Sequence, residues 1–235
     1  MKAYLDIGHS FIKFEINSVV ESYVTSEENL ELVFAELKKN KVETVYLSNV
    51  VFKLWNLLTE FGKSIKCIPI REKITREDKR FNIASTDELG SDIGAMFFAA
   101  TEKYHVKNGI FVSLGTAYTI NLIQDSIYEG VIIYPSAHRT FDSFFKQLDD
   151  RLTIKYEPER EFKTVIGKNN KTAIVEPIII GQWKLVEEAI ATLKAQYQID
   201  SIIFTGGDIT LYKDVIAKMD AEIVPNLVIA GLKSI

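Results

Sequence analysis

The sequence predicts a duplicated α/β fold in which each half contains a mixed sheet. Strands alternate with helices along the chain, which is typical of a sheet covered by helices. A strand, a glycine turn and a returning strand occur near the start, over residues 2–16, and again over residues 110–123. A third apolar strand ends in a Gly-Gly turn within residues 201–208. We therefore expect two domains, residues 1–108 and 109–235, with a nucleotide cleft between them.

The opening stretch, residues 2–16, places a carboxylate at the end of its first strand and a glycine two residues later. Asp6 can hold a phosphate-bound Mg²⁺, directly or through water. Gly8 allows the backbone to approach a phosphate closely, and the turn N–H groups with the Ser10 hydroxyl can bond its oxygens. Lys13 can offer a positive charge to the same anion. An ordinary hairpin with a surface aspartate explains this stretch equally well when it is taken alone.

The same layout recurs in the second half of the chain. Aligning Asp6-Ile7-Gly8-His9-Ser10 with Ser113-Leu114-Gly115-Thr116-Ala117 places Gly8 on Gly115, a shift of 115 − 8 = 107 residues. The late turn, Thr205-Gly206-Gly207-Asp208, follows another apolar strand. Three strand-to-glycine turns in these positions favour a repeated fold that binds a nucleotide.

Composition limits the class of protein. Hydrophobic residues make up 47% and charged residues 26% of the 235-residue chain, as in ordinary globular proteins. The net charge of −4 argues against a nucleic-acid or anionic-membrane surface. The single cysteine, Cys67, excludes an internal disulfide framework and favours a reduced, cytoplasmic setting. The chain also lacks the layout of a signal peptide and an apolar run long enough for a membrane span.

Hydrophobic spacing predicts most elements of the first half. The expected strands are 19–25, 42–50 and 65–70, and the expected helices are 28–39, 51–61 and 87–105. Ser26 is the expected N-cap of the first helix, and Thr86 or Asp87 that of the third. Residues 71–80, which are dense in mixed charge, are expected to form a solvated loop, with contact to an anionic ligand as the alternative.

In the second half we expect a strand over 128–134 and a helix over 135–148 that Pro135 begins. Residues 157–171 are polar and are expected to form an exposed loop. A long helix over 172–197 should be kinked or broken at Pro177. A helix over 208–219, a short strand and a final helix complete the chain.

These residues carry a family resemblance. The chain resembles the type III pantothenate kinases, members of the acetate kinase, sugar kinase, heat-shock protein and actin superfamily. The family motifs Asp-x-Gly-Asn-Ser/Thr, Gly-x-Asp-Arg, Asp-x-Gly-Thr-Ala and Thr-Gly-Gly-Asp occur here, in order, as Asp6-Ile7-Gly8-His9-Ser10, Gly90-Ser91-Asp92-Ile93, Ser113-Leu114-Gly115-Thr116-Ala117 and Thr205-Gly206-Gly207-Asp208. The resemblance implies two RNase H-like, actin-like ATPase domains. It also implies ATP-dependent phosphorylation of pantothenate to 4′-phosphopantothenate, the first step of coenzyme A biosynthesis.

The resemblance implies roles for individual residues. Asp92 would be the general base that takes the proton of the substrate hydroxyl. An acid at a helix N-terminus, stabilised by the helix dipole, is the alternative for Asp92. The substrate would contact Gly90, Ser91, Asp92, Ile93 and Ile174. The residues expected to bind ATP are Asp6, Ile7, Gly8, His9, Ser10, Phe11, Ile12, Lys13, Gly115, Thr116, Gly206 and Gly207. Asp6 would hold Mg²⁺, and Ser113 stands at the position associated with K⁺ or NH₄⁺.

Three positions differ from the quoted family motifs, and at the first of them His9 stands in place of asparagine. Ile93 replaces an arginine that can bind carboxylate or amide oxygens bidentately, and isoleucine makes none of those bonds. Ser113 replaces an aspartate, and a neutral hydroxyl offers a hard cation less than a carboxylate does. The enzyme hypothesis is therefore a kinase acting on pantothenate or on another small alcohol. The alternative is a diverged homologue that binds nucleotide and acts as a regulatory protein. His9 and His138 can be ordinary surface or hydrogen-bonded histidines.

The family resemblance also implies a homodimer formed through the second half. An apolar set there can supply the dimer surface or fill the core of the monomer, namely Phe141, Phe144, Phe145 and Leu148.

Overall fold

The computed structural model describes residues 1–147, 154–158 and 166–235. The chain divides into two compact units. The first comprises Met1–Lys107, Ser126–Tyr128 and Asn226–Ile235, and the second comprises Asn108–Asp125 and Glu129–Pro225.

The described residues form two five-stranded sheets and their covering helices. The strands are β1 (Lys2–Ile7), β2 (Phe11–Ile16), β3 (Val19–Val24), β4 (Thr44–Asn49), β5 (Lys66–Pro69), β6 (Gly109–Leu114), β7 (Ala117–Gln124), β8 (Ile127–Pro135), β9 (Ser201–Thr205) and β10 (Glu222–Ile223). The helices are α1 (Glu27–Lys39), α2 (Trp55–Gly62), α3 (Ser91–Phe98), α4 (Ala137–Phe145), α5 (Asn170–Gln196), α6 (Ile209–Ile216) and α7 (Leu227–Leu232).

The two sheets share one topology. The first has the order β3-β2-β1-β4-β5, and the second has the order β10-β9-β6-β7-β8. In the first sheet β1 pairs antiparallel with β2 and parallel with β4, and in the second β6 pairs antiparallel with β7 and parallel with β9. Reading β6 to β10 as copies of β1 to β5 makes the two orders identical. The predicted duplication of a mixed-sheet α/β domain is thus confirmed.

The duplication extends to the turn that follows the second strand of each sheet. Between β2 and β3, Asn17 and Ser18 have φ of 51° and 65°, and between β7 and β8, Asp125 and Ser126 have φ of 51° and 63°. Two consecutive residues with positive φ form the two-residue turn that matches the twist of a hairpin. Asn and Asp tolerate this conformation better than most side chains.

Most predicted elements of the first unit are confirmed, and α1 shows why. Ser26 caps this helix by accepting a hydrogen bond from the Asn29 N–H. Its apolar residues recur on one face and are buried against the sheet, at Leu30, Val33, Phe34 and Leu37. A capping side chain followed by this spacing is a local signal, so it is legible in the sequence.

The predicted helix over 87–105 is wrong at its start. Residues Thr86–Glu88 form a single 3₁₀ turn, and α3 begins only at Ser91, so neither Thr86 nor Asp87 caps it. The Arg71 guanidinium donates to the carbonyls of Thr86 and Leu89, at 2.6 and 2.7 Å. Leu89 then takes an extended conformation, with ψ of 126°. A long-range contact therefore overrides the local preference for helix.

The prediction that Pro135 begins a helix is also wrong. Pro135 ends β8, and the residue that caps α4 is Ser136, whose hydroxyl accepts from the Arg139 N–H at 3.2 Å. Of the kink or break predicted at Pro177, the break does not occur, because α5 runs through the proline as one helix; the kink stays a prediction. Buried residues on both sides of this proline, among them Val175 and Ile179, pack into the same core and hold the helix together.

Some predictions fall on residues outside the described ranges, namely the end of the helix predicted over 135–148, with Leu148, and residues 159–165 of the predicted loop. None of the helices in the described ranges is both long and apolar enough to cross a membrane.

The last helix, α7, packs against α3 and β1 within the first unit.

Candidate active site

A polar row crosses the first sheet at Asp6. In the strand register Asp6 lies beside Lys13 of β2 and Ser48 of β4. Its sequence neighbours, Leu5 and Ile7, are fully buried on the opposite face. Because side chains alternate along a strand, Lys13, Asp6 and Ser48 project from the same face of the sheet.

The helix α3 is attached to the end of β4 through Ser91. The Ser91 hydroxyl donates to the carbonyl of Asn49 at 2.9 Å and accepts from the N–H of Asn49 at 3.0 Å. Its oxygen also lies 3.2 Å from the hydroxyl of Ser48, and both serines are buried. Ser91, predicted to contact the substrate, is thus used in holding α3 in place. This attachment brings Asp92 close to Asp6.

The Asp92 carboxylate folds back over the first turn of α3. Its Oδ1 accepts a hydrogen bond from the N–H of Ile93 at 2.9 Å. A Cβ on Gly90 would overlap this carboxylate, so the Gly-x-Asp spacing makes room for it. Burial raises the pKa of Asp92, and the bonds from the N–H groups of Asp92 and Ile93 and the nearby His9 partly oppose the rise. Asp92 is therefore both an acid at a helix N-terminus and a half-buried carboxylate with raised proton affinity.

The groups that favour the charged form of Asp6 are weaker than those that oppose it. Burial and the negative charge of Asp92 raise the pKa of Asp6 to about 7, against the opposing effects of the Ser48 hydrogen bond and the Lys13 charge. Its Oδ1 is buried and has no hydrogen-bond partner among the described residues. Hard divalent cations prefer carboxylate oxygens, and a cation there would favour the charged form of both acids. The residues therefore fit a Mg²⁺ ion at Asp6.

The glycine turn after β1 is braced by the residue that follows β3. The Gly8 N–H donates to the carbonyl of Phe11 at 3.0 Å, so this amide closes the turn. Thr25 donates its hydroxyl to the carbonyl of Gly8 at 2.6 Å and its N–H to that of Ser10 at 3.0 Å. Any phosphate contact would thus use parts of the turn other than the Gly8 amide.

In the second unit two glycine turns lie side by side. The N–H of Gly115 closes the turn after β6 by donating to the carbonyl of Ala117 at 3.2 Å. Gly206 has φ of 108°, and a Cβ there would overlap the backbone of Leu114. Gly206 is therefore required by the fold itself. A Cβ on Gly207 would have no neighbour within 4 Å among the described residues, which leaves space beside that peptide.

The second sheet carries a different row at the position that corresponds to Asp6. Ser113 lies beside Thr119 of β7 and Thr205 of β9. This row offers three hydroxyls where the first sheet offers a lysine, a carboxylate and a hydroxyl. Neutral oxygens bind a hard cation less well than carboxylates do, so the row at Ser113 fits a cation poorly.

The other predicted site residues discussed here are divided between the hydrophobic cores and the surface. Ile7 and Ile12 are fully buried, and Ile93 is 7% exposed within the first unit. Ile174, on α5, packs against the core of the second unit. Phe11 and His9 face solvent. Isoleucine at position 93 therefore serves packing where the family motif has a charged side chain.

The apolar set proposed for the dimer surface is divided between core and surface. Phe141 is buried and Phe145 packs against the same core, whereas Phe144 is 46% exposed. The first two therefore fill the core of the second unit.

Three residues with a clear role here, Ser48, Arg71 and Tyr118, were not singled out by the sequence, and Asp208 was quoted there only as part of a motif. Ser48 and Arg71 position α3, and Tyr118 donates a part-buried hydrogen bond to Asp208 in the second unit. A polar residue inside an apolar strand, such as Ser48, is the available local signal. The partner of each residue lies far along the chain, so the pairing itself has no local signature.

Comparison with known proteins places these features in a family. The model of the type III pantothenate kinases matches residues 4–192. A type III pantothenate kinase of Mycoplasma mobile is 30% identical over 247 aligned positions, which cover 99% of this chain and 97% of that protein.

Solved structures agree on the fold. A Campylobacter jejuni protein assigned to the Baf family of transcriptional activators superposes with a TM-score of 0.65 at 20% identity, covering 98% of this chain and 95% of the other. A Sinorhizobium meliloti protein assigned as a 2-dehydro-3-deoxygalactonokinase gives 0.61 at 13% identity, covering 100% and 95%. At these identities the likeness concerns the fold, which is that of the sugar kinases and actin-like ATPases. From the family match and the Mycoplasma relative, this chain belongs to the type III pantothenate kinase family.

Proposed function

We propose that this protein is a cytoplasmic ATP-dependent kinase that phosphorylates the hydroxyl of pantothenate, giving 4′-phosphopantothenate for coenzyme A biosynthesis. The observation that carries the proposal is the half-buried carboxylate pair, Asp6 of β1 and Asp92 of α3, in which the charge of Asp92 helps to raise the pKa of Asp6. Membership of a family whose relatives are named pantothenate kinases supports the choice of reaction and acceptor.

In this proposal Asp92 takes the proton of the acceptor hydroxyl. A carboxylate with a raised pKa is a stronger base than an exposed one, which suits proton removal near neutral pH. Gly90 leaves room for the carboxylate, and Ser91 fixes the start of the helix that presents it. The bonds from the first N–H groups of α3 keep Asp92 oriented.

Asp6 is the proposed holder of Mg²⁺. When bound there, the ion would neutralise phosphate charge and orient the transferred group. Lys13, beside Asp6 in the register, would add a positive charge towards the same phosphates. In the second unit, Gly115, Thr116 and Gly207 would supply further contacts to ATP, since the peptide beside Gly207 has open space.

The acceptor pocket is the part of the proposal that Ile93 alters. A buried isoleucine cannot bind the carboxylate of pantothenate, so the acceptor must be held by other groups or must be a different small alcohol. We therefore include a short panel of uncharged small alcohols beside pantothenate in the assay below.

The test is ADP release by the purified protein with ATP, Mg²⁺ and K⁺, with and without pantothenate. We expect pantothenate to stimulate release, and Asp92→Asn to lower kcat by about 10²- to 10⁴-fold, as for loss of a general base. Glu88→Gln is the matched control because it removes an exposed carboxylate from the same segment. An Asp92→Asn enzyme as active as the wild type would show that another group accepts the proton.

A second candidate is a diverged homologue that binds nucleotide without turnover and acts as a regulatory protein. It is favoured by the replacements at Ile93 and Ser113. Tight nucleotide binding by calorimetry, combined with no ADP release on any acceptor of the panel, would support this candidate and exclude the kinase.

Two further proposals concern the assembly and the ions. The homodimer stays a prediction, and light scattering of the purified protein measures it directly. We derive no catalytic step from K⁺ or NH₄⁺, because Ser113 and its cross-strand neighbours Thr119 and Thr205 carry no charge.

A further inference from the structure

A side-chain hydrogen bond joins the two glycine turns of the second unit. It runs from Tyr118, in the strand after the first turn, to Asp208, the residue after the second turn. The Tyr118 hydroxyl lies 2.6 Å from Oδ2 of Asp208 and donates to it. Tyr118 stands two residues after Thr116, and Asp208 directly follows Gly207. Tyr118 is fully buried and Asp208 is half-buried, so the donor side of this bond is shielded from water. A single hydrogen bond therefore spans both turns.

The hydroxyl proton of Tyr118 has two acceptors within reach. Besides Asp208, the hydroxyl of Tyr212 lies 3.2 Å away. A bond to a carboxylate is shorter and about twice as strong as one between neutral groups, so the proton goes to Asp208. Tyr212 has its own acceptor in the carbonyl of Ile179, at 3.3 Å.

The same turn is held by the backbone. The N–H of Asp208 donates to the carbonyl of Leu114 at 2.9 Å. Gly206 packs on the backbone of Leu114 so closely that a Cβ would overlap it. Leu114 directly precedes Gly115, so the late turn touches the earlier one through backbone and side chain together. The Tyr118–Asp208 bond is the side-chain part of that connection.

Removing the Tyr118 hydroxyl would leave the half-buried Asp208 carboxylate without its main donor. Burial raises the pKa of Asp208, and the Tyr118 bond and the charge of His138 oppose the rise. A carboxylate that loses its partner in such a place moves towards water or towards another donor, because an unpaired buried charge is costly. Either movement removes the side-chain hold on the Gly206-Gly207 turn and leaves that turn attached through the backbone contacts with Leu114 alone.

We propose that Tyr118 is a positioning residue for nucleotide binding, which through Asp208 holds the Gly206-Gly207 turn against the Gly115-Thr116 turn. The inference rests on the proposed function in one respect, namely that these turns bind ATP. The Tyr118–Asp208 hydrogen bond itself is present in the ligand-free protein and is measurable without any nucleotide. Its loss weakens ATP binding and leaves acceptor binding unchanged.

The first measurement is hydrogen–deuterium exchange in the ligand-free protein. We expect Tyr118→Phe to speed exchange of the Asp208 amide and its neighbours in the turn by about tenfold, the effect of losing one bond to a charged group. Tyr212→Phe is the matched control, because it removes a hydroxyl from the same cluster and leaves the Tyr118–Asp208 bond in place. Unchanged exchange in Tyr118→Phe would overturn the inference.

The second measurement is steady-state kinetics and calorimetry with ATP. In Tyr118→Phe the KM and Kd for ATP should rise by about five- to tenfold, while the KM for the acceptor stays the same; Tyr212→Phe should leave both at wild-type values. A rise in both KM values, or a loss of kcat alone, contradicts a positioning role for the nucleotide turns. Faster exchange with unchanged ATP affinity overturns the positioning role and leaves the proposed function standing.

The two parts fail in distinguishable ways. If the wild type binds no ATP, the proposed function fails, and the exchange experiment still decides whether Tyr118 holds the turn. If Tyr118→Phe does not fold, as judged by thermal unfolding, the double variant Tyr118→Phe/Asp208→Asn replaces it, since it removes the unpaired charge as well. That variant should show the same faster exchange and the same weaker binding of ATP.

Discussion

Asp6, the proposed Mg²⁺ ligand, shows how a half-buried carboxylate makes the stability of the folded state depend on pH. Its pKa is raised to about 7, chiefly by burial and next by the charge of Asp92. An unfolded aspartate titrates near about 4, so between these values the folded protein holds a proton that the unfolded chain has lost. The contribution of Asp6 to stability is therefore greatest at low pH and is lost as the pH rises towards 7. Natural proteins keep such a penalty mostly at sites of function.

This sign gives a prediction for Asp6→Asn. Because the amide carries no charge at any pH, its free energy of unfolding relative to the wild type should rise by about 2 to 3 kcal/mol between pH 5 and pH 8. Urea denaturation at several pH values measures this difference. Asp214→Asn, which alters an exposed carboxylate on α6, is the control and should show no such trend.

Magnesium provides a second test at the same residue. If Asp6 holds the ion, Mg²⁺ should stabilise the wild type at pH 8 by mass action and leave Asp6→Asn unaffected. Differential scanning calorimetry with and without Mg²⁺ records the shift in Tm. Equal stabilisation of the two proteins would place the ion elsewhere.

Single residues also show how far the sequence carries the site. The sequence identifies Asp6, Gly90 and Asp92 as candidate site residues because each stands at a fixed spacing within a short motif. The sequence does not predict that Ser91 holds α3 in place, because its partner Asn49 lies 42 residues away in the chain. The burial of Ile93 depends in the same way on tertiary packing.

Among the elements, the late turn contains two adjacent glycines with different roles. Gly206 is required by the backbone conformation and packing, whereas Gly207 has open space beside it. Gly206→Ala would place a side chain at φ of 108° and against the Leu114 backbone, so we expect a loss of about 2 to 4 kcal/mol in the free energy of unfolding. Gly207→Ala meets open space and should change stability by less than about 1 kcal/mol. Chemical denaturation of the two variants measures the contrast. Equal losses would contradict the assignment of Gly206 to the fold.

The turn before α3 depends on Arg71. Arg71→Lys should destabilise the protein by about 1 to 2 kcal/mol, because one ammonium cannot replace a planar guanidinium that binds the carbonyls of Thr86 and Leu89. Arg76→Lys is the matched control, since Arg76 is an exposed arginine that pairs with Asp87. Thermal unfolding compares the two. A larger loss in Arg76→Lys would refute the role given to Arg71.

The elements that local rules describe well are those with local causes. Alternation predicts the hairpins after both glycine turns, and a capping serine with apolar spacing predicts α1. The start of α3 escapes these rules because Arg71 draws two carbonyls out of helical geometry. The continuity of α5 through Pro177 escapes them for a related reason, since its stability comes from the core on both sides of the proline.

For the whole molecule, the repeat of 107 residues between Gly8 and Gly115 predicts the duplicated topology, because a repeated motif marks a repeated structural unit. No local pattern predicts that α7 packs on α3 in the first unit. That contact depends on Gly231, where a Cβ would overlap the carbonyl of Ala95. The ion pair of Lys233 with Glu15, at 2.5 Å, adds a second attachment of the same segment.

Gly231→Ala should therefore lower the free energy of unfolding by more than about 3 kcal/mol, because backbone cannot move aside as a flexible side chain can. Gly181→Ala, in the open face of α5, is the control and should be neutral or stabilising by up to about 1 kcal/mol. Urea denaturation of both variants measures the contrast. A neutral Gly231→Ala would show that α7 packs less closely on α3.

The position of α7 also bears on the order of events on the ribosome. Helix α7 is translated after the entire second unit, yet it covers the amino-terminal unit. The surface around Ala95 that Gly231 covers is therefore exposed on the nascent chain until the residues of α7 have been translated.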